Sequence, residues 1–295
     1  MNSIIQNSRR LVIKIGSSLA LTDDGKNLDP VKIARFAMQI AELRKLDKEV
    51  VLVASGATIV GMQMLCMTER PEESHDWQAC GAIGQMALTH VYGDVFRGRG
   101  LHAAQVLLTL HEVDDPDQRA RACDMLLKLL QFGAIPIINQ NDALTTLDNK
   151  LGDNDRAAAV VANMIDADLL IILTDQKGLF SADPRKDPNA QLVHEGKAGD
   201  PKLEAMALFG GSAGHGQFGL GGMYTKVLAA KHAGQFGVHT LIAWGYEENI
   251  LVRLIQGEAI GTRLMAQPTQ AKRSGWFASI RHSIAARFGM HGNAG

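Results

Sequence analysis

Lys14 stands inside an apolar run, Leu11-Val12-Ile13-Lys14-Ile15, that ends in Gly16-Ser17-Ser18. A lysine in a buried strand is costly unless its charge has a partner. A strand running into Gly-Ser-Ser also offers backbone N–H groups to an anion. A second lysine, Lys226, ends the stretch GLGGMYTK, Gly219 to Lys226, which leads into a helical pattern. Glycines there let backbone N–H groups approach an anion, and a helix N-terminus adds its dipole. The competing reading is a glycine-rich surface loop with a solvated lysine. Asp153, Asn154 and Asp155 open the pattern GDNDRAAAVVA, as N-cap and favourable first-turn carboxylates or as a functional acid/amide set. Asn139 to Asp142 (NQND) brings amides and a carboxylate to another strand end, where a turn role competes. Ser55 and Gly56 in ASGAT, and Thr174-Asp175 in LTDQKG, lie at two further strand tips. No GxSxG elbow surrounds Ser55, so it is not read as a nucleophile. Two lysines, small donors and acid/amide residues together suit phosphoryl transfer, in which positioning and charge stabilisation provide most of the catalysis.

Other chemistries fit less well. GHGQFG, Gly214 to Gly219, matches GxGxxG, but a helix and loop precede it rather than a strand, and no acid ends the next strand. There is no Walker A loop and no H-R-D catalytic loop. The histidines lack zinc-ligand spacing. Cys66, Cys80 and Cys123 are odd in number with no CxxC, which reads as reduced thiols. A net charge of −1 gives no general attraction to nucleic acid or anionic membranes. No apolar stretch approaches the roughly 20 residues of a membrane span, and the start, MNSIIQNSRR, has no signal-peptide core.

The elements that must position these residues alternate. LVIKIG, VVLVAS, AAQVLLT, AIPIINQND, DLLIILTD and VHTLIAWG read as strands, apolar throughout rather than alternating. Helical patterns separate them, the first with Asp29 as N-cap, Pro30 at its first position, and Ile33, Ala37, Ile40 and Leu43 at helical spacing. Buried strands separated by helices predict an α/β fold: a three-layer α/β/α sandwich with a mainly parallel central sheet. Its strand C-termini, each ending in polar or glycine-rich residues, form one edge where a site belongs. The globular domain is set at residues 1–265. A short tail follows at 266–295, read either as a basic amphipathic helix with Trp276, Ile280 and Ile284 on one face, packed on its own domain or touching a membrane or nucleic acid, or as a partly disordered tail.

From Leu11 to Thr262 these segments, in this order, resemble the glutamate 5-kinases of the amino-acid kinase family. The stretches that carry the resemblance are VIKIGSS, VLVASGA, AIGQMAL, AQVLLT, PIINQND, GDNDRAAAVVA, LLIILTDQKGLFSADPR, GGMYTK and Gly261-Thr262. The resemblance implies ATP-dependent phosphorylation of the γ-carboxylate of L-glutamate, the first step of proline biosynthesis, with Mg²⁺ arriving on ATP and no metal site of the protein's own. Lys14 and Lys226 would stabilise the transferring phosphoryl group, and Asp155 would hold their ammonium groups. Ser55, Asp142 and Asn154 would bind glutamate with the Gly56 and Ala57 backbone. Thr174, Asp175, Leu220, Gly221, Gly222, Met223, Tyr224 and Thr225 would line the nucleotide site beside Lys14 and Lys226. A glutamate side chain with a pKa of about 4.3 is already an anionic nucleophile, so no general base is required. L-proline as a feedback ligand, a homo-oligomer, a cytoplasmic location and a functional partner, glutamate 5-semialdehyde dehydrogenase, are further implications.

Two residues depart from the family pattern. Gln140 replaces the glutamate of NEND, and Leu220 replaces the threonine of GTGGM. AKRSGWF resembles the linker into a C-terminal PUA domain, for which the remaining residues are too few. Two alternatives stand beside this reading: a kinase for another small acid, such as a carbamate or phosphate monoester, and a nucleotide- or amino-acid-binding regulator without turnover.

Overall fold

The computed structural model describes residues 2–69, 71–144, 153–210 and 222–267. The chain opens with α1 (Asn2–Asn7), β1 (Arg10–Ile15), a 3₁₀ turn (Ser17–Leu19), α2 (Pro30–Lys45) and β2 (Glu49–Val53). It continues through α3 (Ala57–Met64), α4 (Ser74–Arg97), β3 (Ala103–Leu108), α5 (Leu110–Asp114), α6 (Pro116–Gln131) and β4 (Ile135–Gln140). Then follow α7 (Asn154–Met164), β5 (Leu169–Thr174), β6 (Glu195–Lys197) and α8 (Pro201–Gly210). The last elements are α9 (Met223–Gly234), β7 (His239–Trp244), α10 (Ile250–Ile255) and β8 (Thr262–Met265).

Eight strands form one sheet in the order β3-β4-β2-β1-β5-β7-β8-β6, parallel except where β8 runs against β7. The predicted three-layer sandwich is therefore observed. Val12, Val53, Ile172 and Ile242 face one core with α7 and α9, while Ile13, Leu52, Ile171 and Leu241 face the other with α2 and α10. This two-sided burial explains why the strands are apolar throughout. From β1 the chain builds outward to β2, β4 and β3, then crosses back to place β5 on the other side of β1. The crevice beyond the C-termini of β1 and β5 is thus a topological switch point, where open α/β sheets bind ligands.

Local chemistry fixes the elements around it. Asp29 caps α2 by accepting from the Val31 and Lys32 N–H groups, with Pro30 at the first position. Asp115 caps α6 in the same way, accepting from Gln118 N. Helices α3 and α4 meet backbone to backbone: a Cβ at Gly84 would lie 1.8 Å from the Ala57 carbonyl oxygen, and one at Gly61 would lie 1.8 Å from that of Cys80. Only hydrogen at these positions allows that approach. The three cysteines are free, and burial pushes the Cys123 thiol up to about 12, an unreactive state. Among the described residues no helix is long and apolar enough to cross a membrane. The predicted tail helix with Trp276, Ile280 and Ile284 lies outside the described residues, as does the GHGQFG stretch.

Candidate active site

Lys14 is the fifth residue of β1, in register with Val53 on β2 and Ile172 on β5. Strand alternation turns it, like Val12, to the sheet face covered by α7 and α9. Asp155 comes to the same place on the first turn of α7, whose N-cap Asp153 accepts from Arg156 N. Lys226 arrives one turn into α9, whose N-cap is Gly222. The three side chains meet below the strand ends: Lys14 Nζ lies 2.8 Å from Asp155 Oδ1, and Lys226 Nζ lies 3.1 Å from Oδ2. All are buried, Asp155 to 1% exposure. Burial by itself would raise the Asp155 carboxyl. The Lys14 and Lys226 charges outweigh that effect and hold it well below the usual carboxylate range. The Thr225 hydroxyl lies between Asp155 Oδ2 (2.9 Å) and the Gly222 carbonyl (2.8 Å) and donates to this pair. Lys14 therefore has the partner its burial demands.

One flank of the cluster lies toward β2 and β4. Asn154 Nδ2 is within hydrogen-bond distance of the Ala54 carbonyl (3.0 Å), Ser55 Oγ (2.9 Å) and Asn139 Oδ1 (3.2 Å). Asn139 in turn donates to Gln85 Oε1 at 2.6 Å and accepts from Gln140 N at 2.9 Å. Gly56, at φ +105°, turns the chain from β2 into α3 and leaves Ala57 as the first helical residue. That left-handed conformation costs a residue with a side chain about 1–2 kcal/mol. Asp142 packs on α4 at Gly81, where a Cβ would lie 2.6 Å from Asp142 Cβ. Ser55, Gly56, Ala57, Asn154 and Asp142 are thus gathered on one flank of the lysines. Gln85 and Asn139, which hold Asn154 in place, lie in the stretches AIGQMAL and NQND, but the sequence reading names neither as a binding residue. The available signal was polarity on otherwise apolar surfaces, since both are buried.

The opposite flank lies at β5 and α9. Thr174 is buried at the tip of β5, and its hydroxyl donates to exposed Asp175 at 3.1 Å. Gly16 N donates to the Leu173 carbonyl at 3.1 Å, so the turn after β1 is pinned to the same strand end. Met223 is buried and Tyr224 packs partly against the core, so both support α9 while Thr225 and Lys226 face Asp155. Leu220 and Gly221 lie outside the described residues.

This sheet order, with its switch point above a buried lysine–aspartate–lysine cluster, defines a three-layer α/β/α architecture with a charged site at the strand ends. Two solved structures share the fold: UMP kinase from Bacillus anthracis (TM-score 0.61, 13% identity, 88% of this chain and 97% of that one) and carbamate kinase from Giardia lamblia bound to AMP-PNP (TM-score 0.62, 18% identity, 89% and 100%). The amino acid kinase family matches residues 9–243. Glutamate 5-kinase of Janthinobacterium sp. (strain Marseille) is 55% identical over 279 residues, 94% of this chain and 74% of the relative. That of Herminiimonas arsenicoxydans is 53% identical over 284 residues, 96% and 75%. The chain belongs to the amino acid kinase family, among its glutamate 5-kinases.

Proposed function

We propose that this protein transfers the γ-phosphoryl group of ATP to the γ-carboxylate of L-glutamate, giving L-glutamyl 5-phosphate for proline synthesis. The observation that carries this reading is the single carboxylate, Asp155, that binds Lys14 and Lys226 at the switch point. Two preorganised ammonium groups stabilise charge as it moves from donor to acceptor in a water-poor site. The acceptor is already an anion, so the main barrier is bringing two anions together.

Ser55, Asn154, Asp142 and the Gly56–Ala57 backbone would hold glutamate on the β2/β4 flank. Thr174, Asp175 and the segment Leu220 to Lys226 would hold the nucleotide on the β5/α9 flank. Both Asp155 oxygens face lysines, so this carboxylate is committed to the two ammonium groups. These residues fit a Mg²⁺ ion that is carried by the nucleotide as part of the substrate. When bound, that ion neutralises phosphate charge. The product is an acyl phosphate, whose onward chemistry is a reduction; glutamate 5-semialdehyde dehydrogenase would be the enzyme that consumes it.

The test is ATP- and Mg²⁺-dependent hydroxamate formation from L-glutamate and hydroxylamine, comparing the wild type with Lys226→Ala. Hydroxamate from the wild type alone, with aspartate and N-acetylglutamate inert, supports the reading. No hydroxamate from a chain that binds ATP overturns it in favour of another acceptor or a binding protein.

A further inference from the structure

We infer that Lys177 is an additional binding cation for the donor nucleotide, and that Trp244 is the positioning residue that holds it; the inference rests on the kinase reading above. Two ammonium groups against one carboxylate leave the buried cluster a single net positive charge. A nucleoside triphosphate brings several negative charges, and the acceptor carboxylate adds another. Asp175, exposed at the tip of β5, adds further negative potential on the donor flank. A cation placed there would offset both.

Lys177 is in that place. Its ammonium group sits over the Trp244 ring, 5.7 Å from the centroid. Trp244 ends β7 directly beside Thr174 in the parallel register. Ile242 faces the α7/α9 core, so alternation puts Trp244 on the sheet face that also carries Lys14 and Thr174. The indole is itself braced: Tyr246 meets it edge-on at 5.7 Å, and the Tyr246 hydroxyl donates to the Ser18 carbonyl in the turn after β1.

The loop carrying Lys177 is also fixed. Leu179 N donates to Thr262 Oγ1 at 2.9 Å, and that hydroxyl donates to the Val193 carbonyl at 2.6 Å. Gly178, at φ +147°, fits against the same hydroxyl, where a Cβ would lie 2.6 Å away. Arg185, further along the loop, is committed to Asp183 through Nε (3.0 Å) and Nη2 (2.9 Å). Lys177 is exposed and carries its charge on an anchored loop over an aromatic face, which suits a cation that meets a ligand arriving from solvent.

The test is calorimetric titration of the full chain with AMP-PNP in the absence of acceptor. Variants are Lys177→Gln, Lys177→Arg, Trp244→Phe, Trp244→Leu and the Lys177→Gln/Trp244→Leu pair, with melting curves to confirm folding. Lys177→Gln should weaken binding about three- to fivefold, as expected for an exposed charge pair. It should also flatten the salt dependence of binding. Trp244→Leu should lose the same factor, while Lys177→Arg and Trp244→Phe stay near wild type. The double variant should be no weaker than either single one, because Trp244 acts through Lys177. Wild-type affinity in Lys177→Gln, or losses that multiply in the double variant, would overturn the inference and leave the kinase reading standing. A wild-type chain that ignores AMP-PNP would overturn both.

Discussion

Replacing Asp155 with asparagine removes one charge and almost no volume. In the wild type the carboxylate is 1% exposed and separates two ammonium groups that are themselves nearly buried, 8% and 5% exposed at their side chains. The variant would leave both cations facing a neutral amide. Breaking a buried pair by removing one partner costs about 3–5 kcal/mol. At roughly 2–4 °C per kcal/mol for a domain of this size, the melting temperature should fall by roughly 6–20 °C. Activity should fall further, by about 10²–10³ in kcat, the scale for losing a preorganised electrostatic element. AMP-PNP affinity should not fall, because the cluster's net charge rises by one toward an anionic ligand.

The pH dependence has a definite sign. The folded-state pKa of Asp155 lies below its unfolded value, so its contribution is complete above about pH 3.9. It is lost as the pH falls through the depressed folded value. The gap between wild type and Asp155→Asn should therefore be constant from about pH 5 upward and begin to narrow as the pH falls below the unfolded value. Thermal melts from pH 3 to 8, steady-state hydroxamate kinetics and AMP-PNP calorimetry measure the three quantities. A variant that melts with the wild type at pH 7 and turns over within threefold of it would refute the argument that Asp155 holds the lysines.

Asn154→Ala removes the amide that touches Ala54, Ser55 and Asn139. KM for L-glutamate should rise about tenfold with KM for ATP unchanged, since losing one such hydrogen bond costs on the order of 1.4 kcal/mol; a rise in both would refute a purely acceptor-side role. Gly84→Ala places a Cβ 1.8 Å from the Ala57 carbonyl oxygen, a contact that no rotamer change relieves. Urea denaturation should show a loss of about 3 kcal/mol or more, at the upper end for overpacking. An unchanged midpoint would show that α3 and α4 can separate freely.

The fold was legible because the strands are buried on both faces and so are apolar throughout, while Asp29-Pro30 marks a helix start that the structure confirms. Strands β6 and β8, three and four residues long, escaped because such short runs carry no periodicity; together they form the sheet edge beyond β7. Helix α3 was hidden for another reason. Its start is set by the positive φ of Gly56, and its packing by Gly61 and Gly84, glycines that mark close approach only once the partner helix is known. Among the candidate residues, only Lys14 is anomalous where it stands, a cation in an apolar strand. Asp155 and Lys226 each have an ordinary helix-start or surface-loop reading, and only the set of strand-end motifs together points to phosphoryl transfer. Asn154 and the NQND stretch are candidates too, but the hydrogen-bonded chain that joins Asn154 to Asn139 and Gln85 was not legible, since its members are far apart in sequence. Thr225 is a candidate only as lining the nucleotide site, and its contact with Asp155, a partner 70 residues away, was likewise not legible.

The cluster also reconciles two opposed demands. Ammonium groups stabilise a transferring phosphoryl group best where water is excluded, yet burying each unpaired cation costs several kcal/mol in the empty enzyme. A carboxylate for each lysine would remove that cost but leave no net charge to attract the donor. One carboxylate shared between two lysines keeps both paired and leaves one positive charge over. On the proposed reading, the incoming phosphates find two cations already oriented by Asp155 rather than ones that must be recruited from solvent. The same arithmetic explains why Asp155 is held by Thr225 as well: if the shared carboxylate turned toward one lysine, the other would be left buried without a partner.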